Sequence, residues 1–144
     1  LKRRTEMIHV NRRLIHQINQ CARLITKKAN ERLEPFGLYS SQWSILYCLK
    51  TIGPMTQKDI WSYLNVEAPT VTRTIKRLEE NGWIQREQGE DKREKLVVLT
   101  KEAELKYDSI NQEMLKFEED MLADFQDGDK EAFSEFLNVF LTKS

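Results

Sequence analysis

The sequence predicts a mainly α fold that carries one two-stranded β-hairpin. Three observations predict it. Apolar residues recur three and four apart through most of the chain, which is the helical period. Two short stretches, 83–87 and 95–100, depart from that period with strand-like composition, and they flank a charged tip. Pro and Gly cluster at the joins between periodic stretches. At 144 residues the chain is one domain or two interleaved lobes, long enough to bury a sizeable core.

The first helix is expected over residues 6–33, where Leu14, Ile18, Cys21, Ile25 and Ala29 make one stripe and Pro and Gly are absent. Pro35 biases Glu34 away from helical geometry, and Gly37 permits a turn. Ser40 or Ser41 is then placed to cap a shorter helix carrying Trp43, Ile45, Leu46 and Leu49, which ends at Ile52-Gly53-Pro54. In TQKDIWSYL, Thr56 and Asp59 have capping-box spacing. A short helix over about 57–64 follows, with Ile60, Trp61 and Leu64 inward. Asn65-Val66-Glu67 turns into APTVTRTIKRLEENG, where Pro69 suits the first helical turn and Gly82 a left-handed cap. After the hairpin, Thr100 caps a long helix. On it Ala103, Tyr107, Ile110, Met114, Phe117 and Met121 alternate four and three apart, the pattern of a helix–helix seam. Gln126-Asp127-Gly128-Asp129 interrupts it, and Phe133, Phe136, Leu137, Phe140 and Leu141 mark a last helix.

Lys and Arg number 23 and so do Asp and Glu, but the signs are separated along the chain. Residues 1–35 carry nine Lys/Arg against three Asp/Glu, whereas residues 101–144 carry five against twelve. That asymmetry points to an anionic partner at one end. No apolar run approaches the ~20 residues that span a bilayer, and no signal peptide opens the chain, so no membrane partner is expected. Cys21 and Cys48 make neither a metal-type cluster nor a disulfide framework, and a reducing cytoplasm is the expected compartment. His9 and His16 share a face of the first helix, but no carboxylate or cysteine cluster completes a metal set. There is no nucleophile motif and no Gly-rich phosphate loop. An enzyme is therefore not expected, nor a metal, nor a cofactor.

The two short helices between residues 57 and 81, joined by a turn of three or four residues, have helix-turn-helix spacing. On the second, steps of 100° put Ile75 and Leu78 beside Val71. Pro69, Arg73, Lys76 and Arg77 fall on the far side, with Thr70 and Thr72 on the flanks. Such a face can enter a major groove, where hydroxyls and guanidinium forks meet base edges and phosphates. Taken alone, it is equally a set of solvated helix charges. Glu79 and Glu80 partly neutralise it, but at the end away from the one that normally reads bases. The hairpin that follows makes the unit a winged helix. Its tip packs six charges into Glu90–Lys95 and would lie against phosphates or in the adjacent minor groove.

The stretch VEAPTVTRTIKRLEENGWIQREQGEDKREKLVVLT resembles the MarR family of bacterial transcriptional regulators in its recognition helix and its wing. The family's wing signature, Asp-x-Arg and then an apolar strand ending in Leu-Thr, is met by Asp91-Lys92-Arg93-Glu94-Lys95 and Leu99-Thr100. The resemblance implies that Arg93 reaches DNA, and Lys92 and Lys95 beside it on the charged tip are expected as phosphate neighbours. It also implies that Asp91 braces a basic side chain, either Arg93 itself, Arg73 or Arg77. Ala103 departs from the family, which often carries Gly there; Ala is the better helix former, so a slightly firmer helix start is expected. The family is dimeric through interleaved first and last helices. The sequence agrees independently, because Ile8, Leu14, Ile18, Phe133, Phe136, Leu137 and Phe140 give the terminal helices broad apolar faces.

The expected protein is a winged helix-turn-helix regulator, most simply a ligand-responsive repressor acting as a homodimer on a pseudo-palindromic operator in double-stranded DNA. Residues 40–100 would form the DNA-binding lobe, and 1–39 with 101–144 the helical dimerisation lobe. Family resemblance implies a small aromatic or phenolic effector between the lobes, where Tyr39, Trp43, Tyr47, Trp61 and Tyr63 are available, although aromatic residues at helical spacing also build cores. Two rivals remain. One is a thiol-based redox sensor, for which Cys21 with Arg23 nearby is the better candidate and Cys48 reads as a small core hydrophobe. The other is a winged-helix protein-interaction module that does not bind DNA.

Overall fold

The structure, a computed structural model, describes residues 2–143. Six helices and one hairpin follow in the expected order: α1 (Lys2–Leu33), α2 (Ser40–Thr51), α3 (Gln57–Leu64), α4 (Ala68–Glu80), β1 (Ile84–Gln88), β2 (Lys95–Leu99), α5 (Lys101–Met121) and α6 (Asp127–Leu141). A single 3₁₀ turn at Glu34–Phe36 joins α1 to α2, and Gly37 closes it in the left-handed conformation at φ 71°. Helix α1 begins four residues before the expected 6, because Lys2-Arg3-Arg4-Thr5 contains nothing that stops a helix. At 1.5 Å per residue its 32 residues extend roughly 48 Å.

Local signals decide most boundaries. Thr56 Oγ1 accepts the Asp59 N–H and Asp59 Oδ2 accepts the Thr56 N–H, both at 3.1 Å, so the capping box starts α3 at Gln57. Thr100 Oγ1 accepts the Ala103 N–H at 3.1 Å and starts α5. The expected serine cap on α2 is replaced by a different device. Tyr39 is the cap residue, and its N–H donates to Gln42 Oε1 at 2.9 Å. Ser40 is already helical, and its N–H donates to Asn30 Oδ1 of α1 at 2.7 Å. A side chain from another helix therefore satisfies the free N–H of the first residue of α2, a donor that neither Ser40 nor Ser41 as cap could have reached.

One continuous core fills the space under these elements. Ala29 and Leu33 of α1, Trp43, Ile45, Leu46 and Leu49 of α2, Ile60 of α3, and Val71, Ile75 and Leu78 of α4 are buried in it. The α5 stripe from Ala103 to Phe117 packs into the same core, with Met121 half-buried at its edge. Trp43 stacks on Tyr107 with ring centroids 5.2 Å apart. Arg32 clasps the α1–α5 seam by pairing with Glu113 and Asp120 while lying over the Phe117 ring. The seam foreseen on α5 thus forms within the chain, against the end of α1 and α2.

The hairpin is antiparallel, with Ile84 opposite Leu99 and Gln88 opposite Lys95. It starts one residue later than expected, since Trp83 is engaged in the turn: its N–H donates to the Leu78 carbonyl at 2.9 Å and its carbonyl accepts the Thr100 N–H at 3.1 Å. Met55, just before α3, bonds both ways to Val97 at 2.7 and 3.2 Å and anchors the wing's second strand to the helices.

The ends contrast with this core. Leu14, Ile15, Ile18, Leu24 and Ile25 of α1 are exposed, and every residue of α6 is exposed, Phe136 to 69%. The side chain of Ile8 lies outside the described residues. Among the described residues no helix is long and apolar enough to cross a membrane.

Candidate nucleic-acid interface

Helix α4 turns Val71, Ile75 and Leu78 into the core, as its periodicity requires. Pro69, Thr72, Arg73, Lys76 and Arg77 are exposed and Thr70 is half-buried. Pro69 sits in the first turn, where the N–H that proline lacks would have had no helical partner. Thr72 is less free than its exposure suggests, because its hydroxyl donates to the Ala68 carbonyl at 3.0 Å. Arg73 Nη2 lies 3.5 Å from Thr70 Oγ1, too long to hold the guanidinium in place.

Lys92, Arg93 and Lys95 are exposed on the wing. The tip is organised by its backbone: the Gly89 N–H donates to the Glu94 carbonyl and the Glu94 N–H to the Asp91 carbonyl, each at 2.9 Å. Asp91 makes its contact with the backbone instead of a guanidinium. Its Oδ1 accepts the Arg93 N–H at 3.1 Å, and among the described residues no Arg or Lys pairs with it. The two-residue reach of an Asp to its own backbone is short and local, whereas a bridge to α4 would have to cross the hairpin. Glu94, for which the sequence offers no role, folds back over the neck of the tip. A Cβ at Gly89 would lie 2.8 Å from its carboxylate, a contact that the flexible Glu94 side chain could relieve by swinging outward.

Ion pairing divides the cations. Lys28, Arg32, Lys50, Arg86 and Lys130 each lie within 4.0 Å of a carboxylate. Among the described residues Arg73, Lys76, Arg77, Lys92, Arg93 and Lys95 have no such partner. Every cation singled out on the one helix face and the one loop is therefore left available to an external anion.

Sequence reasoning missed Arg86 and Gln57. Arg86 pairs with Glu79 at 3.2 Å and reaches Gln57, so it bridges the wing to both short helices. The available signal was period two: Arg86 falls on the same face of its strand as the buried Ile84, the face turned toward the helices, although Arg86 itself is exposed.

The aromatic residues expected around an effector crevice are dispersed. Trp43 is buried against Tyr107, Trp61 is half-buried against the core, and Tyr47 and Tyr63 are exposed elsewhere. Tyr39 alone of the five lines the cavity of about 450 Å³ between the end of α1 and the start of α2, with Asn30, Glu31 and Glu34. Cys48 is buried, and burial pushes its thiol up from the ordinary range. Cys21 is exposed on α1, between Ile18 and Ile25 on the uncovered stripe. Among the described residues no group of His, Cys, Asp and Glu could hold a metal ion.

Comparison with known proteins agrees with this geometry. Residues 38–95, from the entry to α2 through the wing, match the model of the MarR family. The chain is 82% identical over 135 residues to the uncharacterized HTH-type transcriptional regulator YwoH of Bacillus subtilis, covering 94% of this chain and 98% of that protein. A MarR/EmrR family transcriptional regulator from Acinetobacter superposes with a TM-score of 0.84 at 26% identity, covering 93% of this chain and 96% of that one. Reduced AbfR of Staphylococcus epidermidis, in its DNA-bound structure, superposes with a TM-score of 0.80 at 24% identity and 99% coverage of both chains. These are regulators and not enzymes, and the chain belongs to the MarR family of winged-helix transcriptional regulators.

Proposed function

We propose that the protein is a homodimeric repressor that reads a pseudo-palindromic operator with α4 in the major groove and the wing on the adjacent backbone or minor groove. The observation that carries this reading is that the six cations on α4 and the wing have no carboxylate partner among the described residues, whereas Arg86 beside them is neutralised within the chain. The DNA-binding lobe is residues 40–100, and residues 1–39 with 101–144 form the dimerisation lobe. Pro69, Thr70, Thr72, Arg73, Lys76 and Arg77 face the bases and phosphates; Arg93 enters or tracks the groove, with Lys92 and Lys95 on phosphates. Asp91 sets the tip's shape through the Arg93 N–H, which aims Arg93 without spending its charge. In a dimer the two α4 helices would sit about 34 Å apart to meet successive major grooves. The compartment is the cytoplasm, where the operator is.

Regulation follows from that spacing. A small aromatic or phenolic effector in the crevice beside Tyr39 would wedge α1 against α2, change the separation of the two recognition helices, and so release the operator.

Selection of bound sequences from a random duplex pool tests the reading. Recovery of an inverted repeat with half-sites about one helical turn apart is expected. Failure to enrich any duplex at low salt sinks it and favours a protein-interaction module. On the selected duplex, Arg93→Ala should weaken binding by ~1–3 kcal/mol and lower the salt slope by about one. Equal affinity of the two proteins at physiological salt would remove Arg93 from the interface.

A further inference from the structure

Arg86 stands on β1 opposite Val97, and cross-strand neighbours share a face, so its side chain lies on the hairpin's inner side with that buried valine. There its Nε donates to Glu79 Oε2 of α4 at 3.2 Å. The Gln57 amide, on the first residue of α3, is satisfied on both atoms when its oxygen faces the guanidinium. The two terminal nitrogens of Arg86 then donate to Gln57 Oε1 at 3.1 and 3.2 Å, and Gln57 Nε2 donates to the Thr72 hydroxyl of α4 at 3.3 Å. One guanidinium therefore joins the wing to both helices of the helix-turn-helix. The planar fork suits that task, since it holds three acceptor contacts in one geometry, which a lysine ammonium on a flexible stem cannot.

We propose that Arg86 is a positioning residue for duplex recognition: its bonds to Glu79 and Gln57 fix the angle between the recognition helix and the wing. Arg86 does not serve as a phosphate contact, because Glu79 already neutralises it, in contrast to Arg93. Glu79, which as a bare acid near DNA would only repel it, gains a task. Thr72 gains one too, through Gln57. The helix and the wing meet different parts of the duplex, so an error in their angle costs the sequence-specific fit and leaves loose electrostatic attachment intact.

The inference rests on the DNA-binding reading, and the test separates the two. Affinities of the full-length protein, Arg86→Ala, Glu79→Gln and Arg93→Ala are measured on the selected operator and on a random duplex across a salt series. Arg86→Ala should lose about tenfold or more on the operator, the scale expected for one network, with its random-duplex affinity unchanged. Its salt slope should match the parent's, whereas Arg93→Ala lowers the slope by about one. Glu79→Gln should also weaken operator binding, although it removes a negative charge. The positioning role is overturned if Arg86→Ala binds the operator as well as the parent does, or if it lowers the slope as Arg93→Ala does. It is equally overturned if Glu79→Gln tightens binding, the sign expected when Glu79 merely shields a direct contact. Glu79→Gln conserves shape, so it decides the matter even if Arg86→Ala fails to fold. A parent that binds no duplex at all removes the DNA-binding reading first, an outcome distinct from a parent that binds and a variant that matches it.

Discussion

Phe136→Asp combined with Phe140→Asp is expected to convert the proposed homodimer to a monomer and to lower operator affinity by about 10²–10⁴-fold, the advantage that linking two binding units confers. Both side chains stand on one face of α6, four residues apart, with Phe133 and Leu137 beside them. None belongs to the core, because α6 has no buried residue. A free amphipathic helix of 15 residues is marginal in water, so α6 needs a surface to cover. The exposed stripe of α1 needs one as well. A second copy of the chain would supply both and would also match charge, bringing the basic residues of 1–35 toward the acidic residues of 101–144. Burial of each phenyl ring would contribute about 1.5–3 kcal/mol to association, and a carboxylate in its place would have to be desolvated. Sedimentation equilibrium reads the mass directly. A double variant that remains dimeric at micromolar concentration would show that α6 is not the dimer seam. The core from Ala29 to Phe117 is built within one chain, so the monomer should stay folded there.

The proposed dimer also bears on Cys21. Its place between Ile18 and Ile25 puts it in the middle of the stripe a partner would cover, so its exposure in a single chain is a property of the protomer.

What the sequence made legible is what local rules govern. The Thr56–Asp59 box, the Thr100 cap and the buried triplet Val71, Ile75 and Leu78 depend on residues within one or two turns of each other, and each is found where spacing puts it. The cationic surface was legible for the same reason: Arg73, Lys76 and Arg77 are exposed because their neighbours at helical offsets are buried. Features that failed or were missed are settled by residues far apart in the chain. Asn30 caps α2 from ten residues away, and Arg86 finds Gln57 only after the wing has folded against α3. Trp43 illustrates the limit of composition. It is an aromatic residue near the junction of the two ends of the chain, but stacking on Tyr107 makes it core, and nothing local distinguishes that from a ligand contact. Asp91 shows a nearer failure, since a choice between a guanidinium and its own backbone turned on the conformation of the tip.

Ile75→Ala and Lys76→Ala, adjacent on α4, are expected to separate stability from binding. Ile75 is fully buried at 0% exposure under the recognition helix, and truncating it leaves a cavity that costs about 2–5 kcal/mol. The melting midpoint should fall by several degrees, with the affinity of the remaining folded protein reduced far less than its abundance. Lys76 is exposed and has no carboxylate partner among the described residues, so its truncation should move stability by no more than about 0.5 kcal/mol. Operator binding should instead weaken, with the salt slope lower by about one as a phosphate contact is lost. The two effects arise from one rotation of about 100° along the helix, which sends one side chain to the core and the next to solvent. Thermal unfolding and duplex titration on both variants check the pair. If Lys76→Ala melts as early as Ile75→Ala, or binds with the parent's salt slope, then the exposed face of α4 supports the fold and does not contact the duplex backbone.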